Sequence, residues 1–155
     1  MAAWLLRSRL GDFTLIASDG ALTHIRFGKQ MGDEPIERLP VLKTAEEELN
    51  AYFAGRLQRF SVPLAPTGTP FQQKVWQLLL AIPYGHTASY SEIAAKAGNA
   101  KAFRAVGSAN HNNPLPIIIP CHRVVGKSGS LVGYAGGLDM KQALLSLERS
   151  VIMKG

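Results

Sequence analysis

Residues 89–110 read SYSEIAAKAGNAKAFRAVGSAN and predict two short helices joined by a turn. Ser89 followed by Glu92 is the capping-box pattern that opens a helix, and Gly98 is the kind of residue that ends one. Asn99 can then cap a second helix over the rest of the stretch. Two short helices joined by a tight turn are typical of a helix-turn-helix, so the stretch predicts the centre of a small helical domain.

The sequence on both sides of this stretch predicts further helices. Thr69-Pro70-Phe71-Gln72 combines an N-cap, a proline at the first helical position and a capping glutamine, and the helix it opens ends before Pro83-Tyr84-Gly85. Asp139 with Gln142 three residues later caps a last helix that runs through Glu148. This part of the chain is therefore predicted to be mostly helical.

The beginning of the chain predicts a small mixed domain with an antiparallel hairpin and one helix. Residues 10–27 hold two stretches of alternating apolar and polar side chains, separated by Asp19-Gly20, a pair that suits a type I′ turn. Thr44 with Glu47 is a second capping-box pattern, and it predicts the start of a helix that continues to Gly55.

A change in charge balance accompanies the predicted domain boundary. Residues 61–70 are rich in Pro, Thr and Gly, so we predict one domain over 1–66 and another over 67–155. The first has eight basic and eight acidic side chains, whereas the second has nine basic and three acidic ones and holds the whole +6 excess. Such asymmetry points to a polyanion, nucleic acid before membrane, or to a basic surface kept for solubility.

Composition and motifs exclude several classes of protein. The 155 residues are 46% hydrophobic and 18% charged, which suits folded domains and not a disordered chain. A single cysteine excludes an internal disulfide framework and a Cys-rich zinc site. The glycine-rich segment 133–137 lacks the GxGxxG spacing and the lysine of a phosphate-binding loop, so we expect no nucleotide cofactor.

Targeting signals and membrane spans are not predicted. No apolar run approaches the roughly 20 residues that span a bilayer. The start of the chain, Met1–Arg9, has too short an apolar stretch for a signal peptide, and no basic segment precedes it. We expect a small soluble protein of the cytoplasm.

Cys121 is the first candidate for chemistry. It follows the apolar run Ile117-Ile118-Ile119 and precedes two basic side chains, His122 and Arg123, whose charges would favour the thiolate. A histidine base and a carboxylate that orients it, for which Glu148 is the candidate, would complete a nucleophilic site. The residues alone leave open the alternative of a small hydrophobic core cysteine and a surface glutamate.

The second helix of the helix-turn-helix has an unusual composition. Lys101 and Arg104 are its long side chains, and most others are Ala, Gly or Ser. Small residues allow a helix to approach a DNA groove closely, but they also allow tight packing against other helices. One face of the helix can do the first and the opposite face the second. Tyr90, at the start of the first helix, reads as a core or rim aromatic, and His86 and His111 read as surface residues.

Pro120-Cys121-His122-Arg123-Val124 resembles the active-site signature of the O6-alkylguanine-DNA alkyltransferases, the methylated-DNA–protein-cysteine methyltransferases. The resemblance covers essentially all of 69–148, whereas the part before it is similar to the family only in size and pattern. The matching segments are Thr69-Pro70-Phe71-Gln72, Ser89-Tyr90, Arg104-Ala105-Val106-Gly107, Asn113-Pro114, Gly133-Tyr134-Ala135-Gly136-Gly137, Lys141 and Glu148.

The resemblance implies a fold and an activity. The fold class is α/β (α+β), with a small ribonuclease-H-like N-terminal domain of antiparallel strands and a mostly helical winged-helix domain that contains the helix-turn-helix. The activity is DNA repair, in which the alkyl group of O6-alkylguanine, and of O4-alkylthymine, moves irreversibly from duplex DNA to the protein's own Cys121. The base is flipped out first, each molecule reacts once, and a monomer acts without a cofactor.

The resemblance also implies roles in the transfer itself. Cys121 takes the alkyl group in an in-line displacement. His122 accepts the thiol proton through a water molecule, and Glu148 orients and polarises His122. Asn113 matches a hinge asparagine that hydrogen-bonds around the active-site turn.

The implied guanine pocket comprises Tyr90, Val124, Tyr134, Ala135, Gly136 and Lys141. Tyr134 and the amides of the two residues after it form its wall and donors. The carbonyls of Cys121 and Val124 accept from the exocyclic amine of the base, and Lys141 supports the pocket.

The implied DNA contacts are Tyr90, Ser91, Arg104, Ala105 and Arg123. Arg104 matches a finger that enters the base stack and fills the gap left by the flipped nucleotide, on a helix that lies in the minor groove. Tyr90 matches a tyrosine that rotates the 3′ phosphate and helps to expel the base.

Departures from the family pattern mark what the resemblance leaves open. Ala143 stands where an aromatic is frequent, and Ala135 where a hydroxyl residue is found, which affects packing and the pocket's donors. Some relatives bind zinc in the N-terminal domain, but residues 1–66 hold no cysteine and one histidine, His24, so we predict no metal. The alternatives are a silent lesion-binding module, in which a residue such as Trp replaces the cysteine, and a thiol hydrolase.

Overall fold

The computed structural model describes residues 1–154. The chain forms two compact units, Met1–Thr67 and a second that begins at Gly68. Among the described residues, no helix combines the length and the hydropathy that crossing a bilayer requires.

The first unit is built on a three-stranded antiparallel sheet. Its strands are β1 (Ala2–Ser8), β2 (Gly11–Ser18) and β3 (Ala21–Phe27), and β2 pairs with both of the others. The predicted hairpin is confirmed: Asp19 has φ 52° and Gly20 has φ 78°, as a type I′ turn requires. β1 was not predicted, because its short apolar run does not alternate.

One helix, α1 (Pro40–Phe53), packs against all three strands. The predicted start at Thr44 is wrong, because Pro40 is the first helical residue. Proline has a fixed φ near −65° and no N–H to leave unpaired, so it begins a helix without a side-chain cap. The rings of Phe53 and Phe13 on β2 stack at 5.7 Å between centroids, which fixes the helix on the sheet.

The second unit is mostly helical, as predicted. Its elements are α2 (Pro70–Leu80), β4 (Ala88–Ser89), α3 (Tyr90–Lys96), α4 (Phe103–His111), β5 (Val124–Val125) and α5 (Leu138–Lys154). The strands β4 and β5 form a short parallel pair. The predicted capping boxes of α2 and α3 are both present, Thr69 with Gln72 and Ser89 with Glu92.

The bounds of two further helices, α4 and α5, differ from the predictions. α4 begins at Phe103 and not directly after Asn99, because residues 99–102 form a turn in which the Asn99 side chain accepts from the amide of Lys101 at 3.0 Å. α5 begins at Leu138, so Asp139 lies within its first turn and not at its N-cap as predicted, and the helix continues beyond Glu148 to Lys154.

A short 3₁₀ turn, Cys121–Arg123, lies between the apolar run Ile117-Ile118-Ile119 and β5. Trp76 on α2 is buried and donates from its indole nitrogen to the carbonyl of Ala109 on α4 at 2.9 Å. α2 and α5 both contact the 3₁₀ turn. The cysteine therefore lies on a turn that packed helices hold in place.

Candidate active site

Asn113 fixes the loop that leads to the cysteine. Its side-chain amide donates to the carbonyl of Ile119 at 2.8 Å, and its side-chain oxygen accepts from the amide of Leu115 at 2.9 Å. Between them, Ile117 has φ 76° and is buried. A β-branched residue in that region costs about 1–3 kcal/mol, so it persists only where surrounding contacts impose it. The Asn113 bonds and the buried Ile117 side chain impose this conformation before Cys121.

Glu148 on α5 is the centre of a buried polar cluster. One carboxylate oxygen lies 2.7 Å from Nε2 of His122, and Arg123 donates to both oxygens, from Nε at 2.9 Å and Nη2 at 3.0 Å. The amide of Gly85 also donates to this carboxylate, at 3.0 Å. The structure thus brings together His122 and Glu148, which are 26 residues apart in sequence.

Arg123 does not reach the surface, which corrects its assignment as a DNA contact. Its side chain is 7% exposed, and Nη1 donates to the carbonyl of Ile82 at 2.7 Å while Nε and Nη2 hold Glu148. The guanidinium carbon also lies 5.5 Å from the centre of the Tyr84 ring. A guanidinium whose nitrogens are all engaged inside the protein stabilises the carboxylate and offers nothing to a phosphate.

The cluster sets the protonation states of Glu148 and His122. Burial alone would raise the pKa of Glu148, but hydrogen bonds from His122 and Arg123 outweigh it and lower the pKa from 4.5 to about 2. Burial lowers the pKa of His122 below 6.5, against the opposing effect of Glu148. At neutral pH the glutamate is charged and the imidazole is neutral. Because an ionised carboxylate only accepts, Nε2 carries the imidazole hydrogen, and Nδ1 carries the lone pair that can take a proton.

The thiol of Cys121 is held in its neutral form, which corrects the expectation that neighbouring cations favour the thiolate. Burial raises its pKa from 9.0 to about 11, although hydrogen bonds from Asn113 and Tyr134 and the charge of Lys141 act in the opposite direction. The positive charge of Arg123 is directed to Glu148. The thiol therefore needs a base to become a nucleophile, since few molecules are ionised at neutral pH.

An open hollow, about 260 Å³ including the solvent at its mouth, is lined by Tyr90, Gly107, Asn110, His111, Gly133, Tyr134 and Ala135. Three of these were predicted pocket residues, and Tyr134 is also a hydrogen-bond partner of Cys121. Val124, Gly136 and Lys141 were predicted there too, but they are not among the lining residues. The hollow has the mixed apolar and polar lining of a ligand site.

The sequence predictions missed the contribution of α4 to this hollow. Gly107, Asn110 and His111 follow the i, i+3, i+4 spacing that places side chains on one helix face, and this was the signal available in the sequence. Asn110 is 5% exposed, and its amide donates to the carbonyl of Cys121 at 3.3 Å. His111 remains exposed at the rim, and His86 is also exposed.

Lys141 ties the glycine-rich loop to the active-site turn. Its buried ammonium group donates to the carbonyls of Val124 at 2.6 Å, Val132 at 3.0 Å and Gly133 at 3.4 Å. The Tyr90 hydroxyl also donates to Val132, at 3.2 Å. Lys141 thus links the glycine-rich loop to β5, and Tyr90 links the start of α3 to the same loop.

The remaining predicted DNA contacts lie on the surface around α3 and α4. Ser91, Arg104 and Ala105 are exposed, and Tyr90 is half-buried. Of the nine basic residues of the second unit, Arg123 and Lys141 are buried, so the cations available to a polyanion are Lys74, Lys96, Lys101, Arg104, Lys127, Arg149 and Lys154. Over residues 1–154, no group of three or more His, Cys, Asp or Glu side chains could hold a metal ion.

Two family models match the chain, one for each unit. The DNA binding domain of 6-O-methylguanine DNA methyltransferase matches residues 70–150. The ribonuclease-like domain of the same family matches residues 2–66. Both expectations about fold, the ribonuclease-like first part and the helical DNA-binding part, are confirmed.

Named relatives agree with these matches. The methylated-DNA–protein-cysteine methyltransferase of Methanosarcina acetivorans is 47% identical over 151 residues, which cover 94% of this chain and 97% of the relative. That of Mycobacterium bovis is 48% identical over 147 residues, which cover 92% and 89%. The crystal structure of Mycobacterium tuberculosis OGT in complex with DNA has a TM-score of 0.91 and 47% identity, over 97% of this chain and 94% of that one.

Proposed function

This chain belongs to the 6-O-methylguanine DNA methyltransferase family, and we propose that Cys121 is the residue to which it transfers the alkyl group of damaged DNA. Repair of DNA by alkyl transfer to a protein cysteine is the activity of the family. The observation that supports this assignment is the contact of His122 with Glu148 directly after the chain's one cysteine, whose hydrogen-bond partners Asn110 and Tyr134 line the hollow.

The transfer is a displacement at the alkyl carbon. The Cys121 sulfur forms a bond to this carbon, the bond from carbon to guanine O6 breaks, and its electron pair returns to the base, which takes up a proton. His122 accepts the thiol proton at Nδ1 through a water molecule, and Glu148 stabilises the imidazolium that results. A thiol with a pKa of about 11 requires this relay.

The hollow is the proposed guanine pocket. Tyr134 and the amides of Ala135 and Gly136 donate to the departing base, where negative charge develops, in the manner of an oxyanion hole. The carbonyls of Cys121 and Val124 accept from the exocyclic amine, and each carbonyl oxygen has a second lone pair besides the one used by Asn110 or Lys141. The same displacement is open to O4-alkylthymine.

Duplex DNA is the proposed substrate, with the reacting base flipped out of the stack. Guanine O6 is inaccessible inside a base pair, and eversion costs a few kcal/mol, less for a damaged pair. The small exposed face of α4 suits the minor groove, where Arg104 fills the vacated position and Tyr90 meets the backbone. We further propose a division between a DNA-binding and active-site domain over 67–155 and a ribonuclease-H-like domain over 1–66.

The protein is proposed to act once, as a monomer in the cytoplasm. A thioether between carbon and sulfur is not hydrolysed under these conditions, so the product is a permanent adduct. A nucleophilic cysteine needs a reducing compartment to stay a thiol, which the cytoplasm provides.

Stoichiometry tests the function directly. When the protein is incubated with an excess of duplex oligonucleotide that carries O6-methylguanine, we expect one methyl group per molecule, found on Cys121 by intact-mass and peptide mass spectrometry. Because the sequence has one cysteine, the modified position is unambiguous. Repeated turnover would instead indicate a thiol hydrolase, and binding of the lesion without an adduct would indicate a silent lesion-binding module.

Arg104→Ala is expected to slow repair of duplex DNA by roughly 10- to 100-fold, because an everted base without a substitute in the stack is less stable by a few kcal/mol. The rate with the free base O6-benzylguanine should not change, since no stack has to be opened. Lys101→Ala is the matched control, because it removes one nearby exposed cation. Equal losses on duplex and free base, or equal losses in both variants, would refute the intercalating role.

A further inference from the structure

Phe103, the first residue of α4, is the only aromatic side chain that is exposed among residues 1–154. It is 46% exposed and directly precedes Arg104. A single exposed apolar side chain on a surface requires no explanation by itself. What makes Phe103 of interest is that it adjoins the exposed Arg104 and lies one helical turn from Gly107, which lines the hollow.

The geometry of α4 places Phe103 on the same helix face as two residues that line the hollow. Phe103, Gly107 and Asn110 stand at i, i+4 and i+7, so they share one face of the helix. Gly107 and Asn110 line the hollow. Phe103 is one turn, about 6 Å along the helix axis, from Gly107 towards the N-terminus. Phe103 is not itself a lining residue, but it is exposed on the face of α4 that carries two of them.

The charges around Phe103 fit a polyanion. Lys96, Lys101 and Arg104 are exposed nearby. Residues 93–111 contain no Asp or Glu. An exposed aromatic ring on a segment whose charged side chains are all basic matches a partner that combines phosphates with flat apolar faces, which is DNA.

We propose that Phe103 is a second DNA wedge, whose ring stacks on a base next to the everted one while Arg104 fills the vacated position. This inference rests on the proposed function. Apolar side chains inserted between base steps partly unstack them and open the duplex, and base–aromatic stacking is largely independent of sequence. A ring on this face of α4 keeps the neighbouring base from closing over the vacated site, so Phe103 favours eversion and not the chemical step.

The test compares two substrates that differ in whether a base must be everted. Second-order rate constants for adduct formation are measured with duplex DNA containing O6-methylguanine and with free O6-benzylguanine, for the wild type, Phe103→Ala, Phe103→Leu and Phe103→Trp. We expect Phe103→Ala to lose about 5- to 100-fold on the duplex and nothing on the free base. Phe103→Trp should retain the wild-type duplex rate, and Phe103→Leu should lie between them.

Leu80→Ala on α2 is the matched control, because Leu80 is also an exposed apolar residue of the second unit, at 40%. It should leave both rates unchanged. An unchanged duplex rate in Phe103→Ala, or the same loss on both substrates, would overturn the proposal. A wild type that alkylates Cys121 with neither substrate would instead refute the proposed function, so the two failures are distinguishable.

Discussion

Cys121→Ala is expected to abolish alkyl transfer to the protein on both duplex DNA and free O6-benzylguanine, while duplex binding is retained. The variant removes the sulfur that forms the bond to carbon, and the sequence offers no second cysteine to replace it. The surface that carries Arg104 and the other exposed cations is unaltered, so affinity for DNA should persist. Intact-mass spectrometry measures the first quantity, and fluorescence anisotropy of a labelled duplex measures the second.

Cys121→Ser controls for the small cavity that alanine leaves at a position with 3% exposure. Serine keeps the size of the side chain, but an alcohol is a far weaker nucleophile than a thiolate, so transfer should be absent there as well. Loss of both transfer and DNA binding in the two variants would contradict the prediction. It would mean that Cys121 is a structural core residue, which is the alternative that the residues alone left open.

Glu148→Gln is expected to cost both stability and rate. Glu148 is 1% exposed and carries the charge that balances buried Arg123. Removing one partner of a buried ion pair costs about 3–5 kcal/mol, because the other charge is left uncompensated. The rate of transfer falls as well, since His122 loses the carboxylate that fixes its tautomer and stabilises its protonated form.

Replacing both partners separates these two effects. In the double variant Glu148→Gln, Arg123→Met, the buried charges are both removed, so much of the free energy of unfolding should return. The rate of alkyl transfer should stay low, because His122 still lacks its carboxylate. Recovery of the rate together with the stability would contradict this prediction and show that Glu148 acts only by holding the fold.

The acid dependence of stability gives a further readout for Glu148→Gln. Its carboxyl has a lower pKa in the folded protein, about 2, than its ordinary value of 4.5, so the stabilisation is complete above about pH 5. This stabilisation by the Glu148 carboxylate amounts to about 3 kcal/mol, and it is lost as the pH falls from about 5 towards 2. Denaturant unfolding at several pH values should show this loss in the wild type, and the Glu148→Gln variant should lack most of it.

Elements that are specified within a few residues could be predicted from the sequence. Asp19-Gly20 forms its turn, and the capping boxes at Thr69 and Ser89 open α2 and α3, because each signal is satisfied within four residues. Capping patterns gave the wrong start for α1 and for α4, because another local feature competed with each of them. Pro40 starts α1 before Thr44, and the Asn99 side chain forms a turn where it was expected to cap α4 directly.

Most of the functional prediction rested on the motif around Cys121, but this motif did not predict the electrostatics of the site. The adjacency of Arg123 to Cys121 predicted that its charge would favour the thiolate, and the family resemblance implied that it contacts DNA. The structure instead directs that charge to Glu148, 25 residues away, and buries the thiol so that its pKa rises. The part played by Gly107, Asn110 and His111 in lining the hollow was missed for a similar reason, since it depends on where α4 packs.

The sequence by itself determined the two-part organisation, most helical segments, the single cysteine in its motif and the family of the chain, because caps, turns and a contiguous motif act over a few bonds. Only the tertiary structure decided which charges are buried, which side chains contact Glu148 and which residues line the hollow. The physical reason is that desolvation and Coulomb interactions depend on distances in space. Those distances exist only after α5 brings Glu148 back to the turn at His122 and Arg123.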